Sequence, residues 1–195
     1  MAFDFFKKKK AELQKEEFRI EDLVLSKLKT GFLVDHDMKT YKVAACNKYQ
    51  WEEGGTTDEW ELKAGDESWF LERSQEDGEV EWSFCRKLPI SQLEGDIAGE
   101  IERNEDPPET VVFEGKKFIF EEDDIGEFFR EGSDEGLSFV SWDFEDEQEK
   151  EFLTIEQWGE TKFDMQVGFQ VEEFQFTNIL PGEWYSHLND LKSLL

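Results

Sequence analysis

Histidine, cysteine and proline are scarce in this chain: two, two and four residues among 195. Two histidines leave few parts for acid–base or nucleophilic chemistry. His36 stands between Asp35 and Asp37 on an expected hairpin turn, and His187 on the surface of an expected C-terminal helix. Cys46 and Cys85 form no Cys-x-x-Cys pair and lie at no Cys/His metal spacing. Each falls in an expected strand beside apolar residues, so both read as buried free thiols of a reducing compartment. The Gly-x-Ser-x-Gly elbow and the Gly-x-Gly-x-x-Gly and Gly-x-x-x-x-Gly-Lys loops do not occur, so readings that depend on them lose support. No apolar run approaches the roughly 18 residues of a membrane-spanning helix. The N-terminal lysines follow a short apolar patch, the reverse of a secretory signal, and the cytoplasm is the expected location.

Basic residues are also few. Lys and Arg number 22 against 49 Asp and Glu, a net charge of −27. Residues 1–50 hold eleven bases and eight acids, whereas residues 51–195 hold the other eleven bases and forty-one acids. A polyanionic body therefore follows a slightly basic leader. Such a body repels phosphate backbones, whose recognition needs Lys and Arg to displace counterions, so nucleic acid is not an expected partner. Basic proteins, polyamines and metal cations are. The same charge also serves to keep an aromatic-rich β protein soluble, and both readings stand at this point.

Aromatic residues are abundant, with 19 Phe and 7 Trp, which argues for a folded chain. One phrase is said twice: Trp60-Glu61-Leu62 then Phe70-Leu71, and Trp142-Asp143-Phe144 then Phe152-Leu153. Each copy runs through a glycine turn (Gly78, Gly159) into an alternating aromatic strand, then Leu-Pro (Leu88-Pro89, Leu180-Pro181), then a helical pattern. Val80, Trp82 and Phe84 alternate with Glu81, Ser83 and Cys85, as in a strand with one buried face. Phe163, Met165, Val167, Phe169 and Val171 do the same, and the slip at Glu172-Glu173 before Phe174 and Phe176 predicts a β-bulge. After Pro89 the apolar period becomes helical (Ile90, Leu93, Ile97, Ala98, Ile101), with Ser91 and Glu94 in capping-box spacing. Asp106-Pro107-Pro108 marks the boundary. Beyond Pro181, Trp184, Leu188, Leu191 and Leu195 form a second helical stripe.

The expected architecture is mainly β (α+β). A leader over 1–19 precedes two similar antiparallel β units, 20–106 with a helix about 90–104 and 109–195 with a helix about 183–195. Each unit is closed by its amphipathic helix, and the two pack as a pseudo-dimer. Trp60 and Trp142 then become core residues.

Three features carry the search for function. Phe3, Phe5 and Phe6 with Lys7, Lys8, Lys9 and Lys10 form a candidate membrane or partner docking segment, against the bland reading of a solvated terminus. Glu121, Glu122, Asp123 and Asp124, with Asp134 and Glu135, are candidate cation or partner contacts on acidic loops, although the EF-hand pattern is absent. Tyr49, Trp51, Trp60, Trp69 and Trp82, answered by Phe128, Phe129, Trp142 and Trp158, either pack the core or line a cavity that cages a polyamine or quaternary ammonium. No catalytic residue, metal site or cofactor is expected.

Tyr41-Lys42-Val43, Tyr49-Gln50-Trp51, Trp60-Glu61-Leu62, Trp69-Phe70-Leu71-Glu72 and Trp82 carry a family resemblance in the first half. Gly115 to Phe120 and the strand Phe163 to Val171, with Gly168, carry it in the second. The chain resembles the bacterial family domain of unknown function 4178 over residues 20–180. The resemblance implies a mainly β, non-enzymatic protein, in a setting beside membrane-stress proteins of the phage-shock type and polyamine-synthase-like genes. The leading expectation is an acidic accessory or adaptor protein binding a basic or membrane-associated protein partner, peripheral at the inner membrane face through its N-terminus. The alternatives are a polyamine or cation sensor using acidic aromatic clefts and, last, an uncharacterised enzyme.

Overall fold

The computed structural model describes residues 23–182. Two five-strand antiparallel meanders follow one another. The first holds β1 (Leu33–His36), β2 (Lys39–Trp51), β3 (Thr56–Ala64), β4 (Glu67–Glu76) and β5 (Glu79–Leu88). The second holds β6 (Thr110–Phe113), β7 (Lys116–Phe129), β8 (Leu137–Asp146), β9 (Phe152–Gln157) and β10 (Phe163–Gln170). β11 (Phe176–Leu180), one α-helix, α1 (Ile97–Asn104), and short 3-10 turns make up the other described elements. Two-residue hairpin turns of type I′ need positive φ at both positions. Asp77-Gly78 and Glu114-Gly115 supply it, as does Asp37-Met38.

The strand order β11-β1-β2-β3-β4-β5-β10-β9-β8-β7-β6, with an additional β2–β7 pairing, closes strands β2–β5 and β7–β10 into an eight-stranded antiparallel barrel. Two seams join the meanders. At one, Met165 to Gln170 pair with Leu88 to Ser83; at the other, Lys48 to Trp51 pair with Phe129 to Gly126. A glycine sits at each seam for steric reasons. A Cβ on Gly168 would lie 2.5 Å from Cys85 Cβ and 2.7 Å from the Phe84 carbonyl oxygen, and one on Gly126 would lie 2.8 Å from the Phe139 ring.

β2 and β7 each change face partway. The β2–β3 register slips between Val43 and Ala45, and the β7–β8 register between Phe120 and Glu122. An extra residue at such a bulge turns the following side chains to the opposite face. Tyr41 and Val43 therefore join one apolar core, while Tyr49 and Trp51, at the same parity, belong to a separate aromatic cluster. Likewise Phe118 joins the other apolar core, and Phe128 the aromatic cluster.

The two large cores lie against the outer face of the barrel wall. On one side Trp60, Leu62, Leu71, Trp82 and Phe84 pack with Leu25, Leu28, Phe32, Val34, Val171 and Phe176. On the other, Trp142, Phe144, Leu153, Ile155, Met165 and Val167 pack with Val111, Phe113 and the α1 residues Ile97 and Ile101. Trp60 and Trp142, 4% and 3% exposed, are core residues as expected.

Several local expectations change. The stripe from Ile90 is not one helix: Ile90–Gln92 form a 3-10 turn, and Gly95, at φ +95°, breaks the chain before α1. The helix cap is Asp96, whose carboxylate accepts from Gly99 N at 3.3 Å, rather than the Ser91/Glu94 pair. The helix covers the core of the second meander, not the first. The expected bulge at Glu172-Glu173 is a strand end, because β10 stops at Gln170 and a 3-10 turn with its own capping box spans Glu173–Gln175. β11 then crosses to pair with β1. Leu180 therefore closes an added strand, whereas Leu88 closes the fifth strand of its meander. The leader, including Phe3 to Lys10, and the stripe 183–195, with His187, lie outside the described residues. Among the described residues no helix is long and apolar enough to cross a membrane.

Candidate functional site: the barrel lumen

With the apolar side chains on its outer face, the wall turns polar residues inward. A cavity of about 270 Å³ is lined from all eight barrel strands, including Tyr49, Thr57, Glu72, Ser83, Glu122, Asp143, Thr154, Glu156 and Gln166. Strand alternation explains the placement: Leu71 and Ile155 face the outer cores, so Glu72 and Glu156 face inward.

One ion pair is completed inside the barrel wall. Lys87 Nζ donates to Glu59 Oε2 at 2.6 Å and to the Tyr49 hydroxyl at 2.8 Å. Tyr49 donates to the same Glu59 oxygen at 3.1 Å, and Asn47 Nδ2 to Oε1 at 2.8 Å. Glu59, 1% exposed, thus has both oxygens satisfied. The ammonium also lies 4.6 Å from the Phe70 ring centroid, 5.6 Å from Tyr49 and 5.7 Å from Phe128. Burial works to lower the Lys87 pKa, but Glu59, Glu156 and Glu72 outweigh it and hold the group above its ordinary value. Burial, with Glu156 and Glu59, holds the Tyr49 phenol well above its own.

Two further carboxylates lack a dedicated cation. Glu72 accepts from Ser83 Oγ at 3.1 Å, with Cys85 Sγ at 3.8 Å. Cys85 Sγ also contacts Gln166 Oε1 at 3.0 Å, and Gln166 Nε2 donates to Glu156 Oε1 at 2.8 Å. Glu156 is 2% exposed, and among the described residues its Oε2 has no hydrogen-bond partner. Burial and the neighbouring Glu59, opposed by Lys87, push Glu72 up to about 8. Burial lifts Glu156 to about 7, again against Lys87. Burial followed by Glu72 raises the Cys85 thiol well above its ordinary range, so it is an inert thiol.

Toward solvent the lining stays acidic. Asp143 accepts from the Thr154 hydroxyl; burial lifts it to about 6 against that bond, with Glu122 and Asp124 adding to the rise. Glu81, Glu121, Glu145 and Glu149 line the outer part of the cavity with Lys150. Glu145 is raised by its partial burial and by the crowding of Glu121, Glu149, Asp146 and Glu81.

The candidate residues separate on this frame. Glu121 and Glu122 line the cavity, from within β7 rather than from a loop. Asp123 is exposed and Asp124 half-buried on the same strand, where Asp124 Oδ1 accepts the Ile125 amide at 2.6 Å. Asp134 and Glu135 lie exposed in the β7–β8 connection. Among the described residues no group of three or more His, Cys, Asp or Glu converges as a metal site. The aromatics divide: Trp60, Trp69 and Trp82 belong to one outer core, while Tyr49, Trp51, Phe128, Phe139 and Trp158 cluster beside the lumen. His36 ends β1 and stacks on Phe176 at 4.3 Å. Both cysteines are free, Cys85 buried and Cys46 half-buried. Glu59, Glu156, Gln166 and Lys87 went unnoticed in the sequence, and Glu72 was noted only within the motif of the family resemblance, although the carboxylates in strand alternation (Glu59, Glu72, Glu156) were its one available signal.

No solved structure matches the chain. A relative from Aquifex aeolicus (strain VF5), carrying the name "Uncharacterized protein", is 26% identical over 182 residues, covering 91% of this chain and 98% of its own length. The family described as Domain of unknown function (DUF4178) matches residues 29–173, which include the whole barrel. The chain belongs to that family.

Proposed function

We propose that this protein acts by binding rather than by catalysis, and that its lumen takes a small cation. The observation that carries this reading is the imbalance inside the barrel. Among the described residues Glu59 is matched by Lys87, while Glu72 and Glu156 have no base of their own and Glu156 Oε2 has no hydrogen-bond partner. A buried carboxylate costs several kcal/mol unless paired or neutralised. A cation entering the lumen removes that cost, so its binding is favoured beyond simple surface attraction. The role that fits is a sensor or carrier of small cations such as polyamines.

Calorimetry with spermidine at physiological salt tests it. The expected result is one saturable site whose heat persists at raised ionic strength and falls with Glu156→Gln. Weak heats that vanish as salt screens the exposed carboxylates would remove the proposal.

An adaptor role for a basic protein partner is a second reading, which the −27 charge favours; a peripheral position at the inner membrane face of the cytoplasm would rest on the basic leader instead. Crosslinking in cells tests it, and recovery of the chain alone counts against it. We also read the meanders as copies packed as a pseudo-dimer, a reading supported by the matching bulges in β2 and β7 and by the antiparallel seams that join like-numbered strands.

A further inference from the structure

We infer that the lumen selects a linear diamine, one ammonium held deep by Glu156 and Glu72 and the other held near the opening by Glu121, Glu145 and Glu149. This rests on the cation-binding reading above and gives it a ligand class. The deep anchor is Glu156, a side chain that lines the cavity and whose buried Oε2 has no hydrogen-bond partner among the described residues. Its other oxygen is fixed by Gln166, and Gln166 is in turn engaged by Cys85, so the free oxygen is held in place. Such an acceptor asks for an N–H or O–H donor.

Three observations make the donor an elongated organic cation. First, the acidic groups do not converge: among the described residues none form a cluster that could hold a metal ion. A compact hard cation would lack the six or more oxygens it requires. Second, the acids occur at two levels, the buried Glu156 with the half-buried Glu72, and the crowded outer group around Glu145. Two separated positive charges satisfy both levels, and one does not. Third, Trp51 and Phe152 also line the cavity, which suits methylenes between the charges. The volume, about 270 Å³, equals roughly nine waters at about 30 Å³ each. That fits a diamine of several carbons and falls below the ~300 Å³ lower limit of pockets for drug-sized ligands.

The lumen already shows how it holds an ammonium on an alkyl chain. Lys87 places its Nζ against Glu59 and the Tyr49 hydroxyl, over the rings of Phe70, Tyr49 and Phe128. The diamine repeats this arrangement at the unpaired carboxylates. As it enters, Glu72 and Glu156 release protons to solvent, and the ligand nitrogens stay protonated throughout.

The test is calorimetry on the full chain with α,ω-diamines from ethylenediamine to octanediamine, beside butylamine, butanediol and magnesium chloride at one ionic strength. The expected result is an optimum at intermediate length, about tenfold or more tighter than butylamine, with proton release that changes the apparent heat between buffers. Glu156→Gln weakens butylamine and diamines alike. Glu145→Gln with Glu149→Gln, both away from the core, erases only the advantage of the diamine. Near-ultraviolet circular dichroism verifies that each variant folds. Affinity that is flat with length, or equal for butylamine or magnesium, overturns the diamine assignment and leaves cation binding standing. Heats from none of the cations, or equal binding of butanediol, overturn both.

Discussion

The two faces of the same barrel wall make opposite use of burial. On the outer face Leu71, Leu153, Ile155 and Met165 are fully enclosed among other apolar side chains. One residue along, on the inner face, Glu72, Thr154, Glu156 and Gln166 surround a cavity. In a small barrel the interior is commonly the packed core. Here β1 and β11 cover one outer face, and α1 and β6 the other, so the apolar core lies outside the wall. Because that core supplies the stability, at about 1.5–3 kcal/mol for each fully buried Leu or Ile, the interior can hold groups that serve binding. The comparison teaches that alternation along a strand separates two jobs as well as two environments.

The sharpest way to break that division is to remove the cation of the interior ion pair. Lys87→Met leaves Glu59 buried without its cation. It is expected to cost about 3–5 kcal/mol in urea unfolding, with much of the loss recovered by adding Glu59→Gln. A cost no larger than that of an exposed lysine would show that the interior pair is solvated after all.

Next in size is a pair of neighbours on β9. Leu153→Ala on the outer face is expected to cost about 2–5 kcal/mol. Thr154→Ala on the inner face is expected to cost about 1 kcal/mol, since it breaks one hydrogen bond to Asp143. Equal costs would remove the distinction between the faces. At the seam, Gly168→Ala forces a methyl into Cys85 and the Phe84 carbonyl and is expected to cost about 1–3 kcal/mol. The same substitution at Gly132, where no atom lies within 4 Å but φ is +75°, brings backbone strain alone. The smaller loss belongs there.

A pH series sharpens the comparison further. Glu72 and Glu156 lie above their ordinary value of 4.5, so the folded state keeps protons that the unfolded chain releases. The stability they contribute is complete below pH 4.5 and is lost as pH rises through about 7 and about 8. At about 1.4 kcal/mol per unit, reduced because water reaches Glu72 in the cavity, the ligand-free protein should lose roughly 2 kcal/mol between acid and mildly alkaline pH. Glu72→Gln should flatten much of that fall in the urea midpoint. A profile that rises with pH would reverse the assignment.

Much of the wall was legible in the sequence, and its inner face was not. Alternation about Trp82 and Phe84, and the turns at Gly78 and Gly115, give strand and hairpin directly. The repeated Trp60 and Trp142 point to the core. But Glu81, Ser83 and Cys85 look the same whether the polar face meets bulk water or a lumen, because period-2 patterning reports two faces and not what the second one borders. The bulges hid for a related reason. Tyr41, Val43, Tyr49 and Trp51 keep one parity in number, so the exchange of faces at Ala44 leaves no mark in the pattern. The helix was placed too early because Ile90 and Leu93 continue its spacing, although Gly95 interrupts its backbone. Closure depends on β2 meeting β7 across almost eighty residues of chain, a contact that local patterning does not encode.

The central claim is that the lumen holds carboxylates in wait for a cation. A carboxyl-carbon NMR titration of Glu72 and Glu156, in the free protein and with a saturating diamine, tests it most directly. Titration near 8 and near 7 is expected in the free protein, with a drop of both toward the ordinary carboxylate range once the ligand is bound. Titration of both groups at their ordinary value of 4.5 in the free protein, unmoved by the diamine, would contradict it.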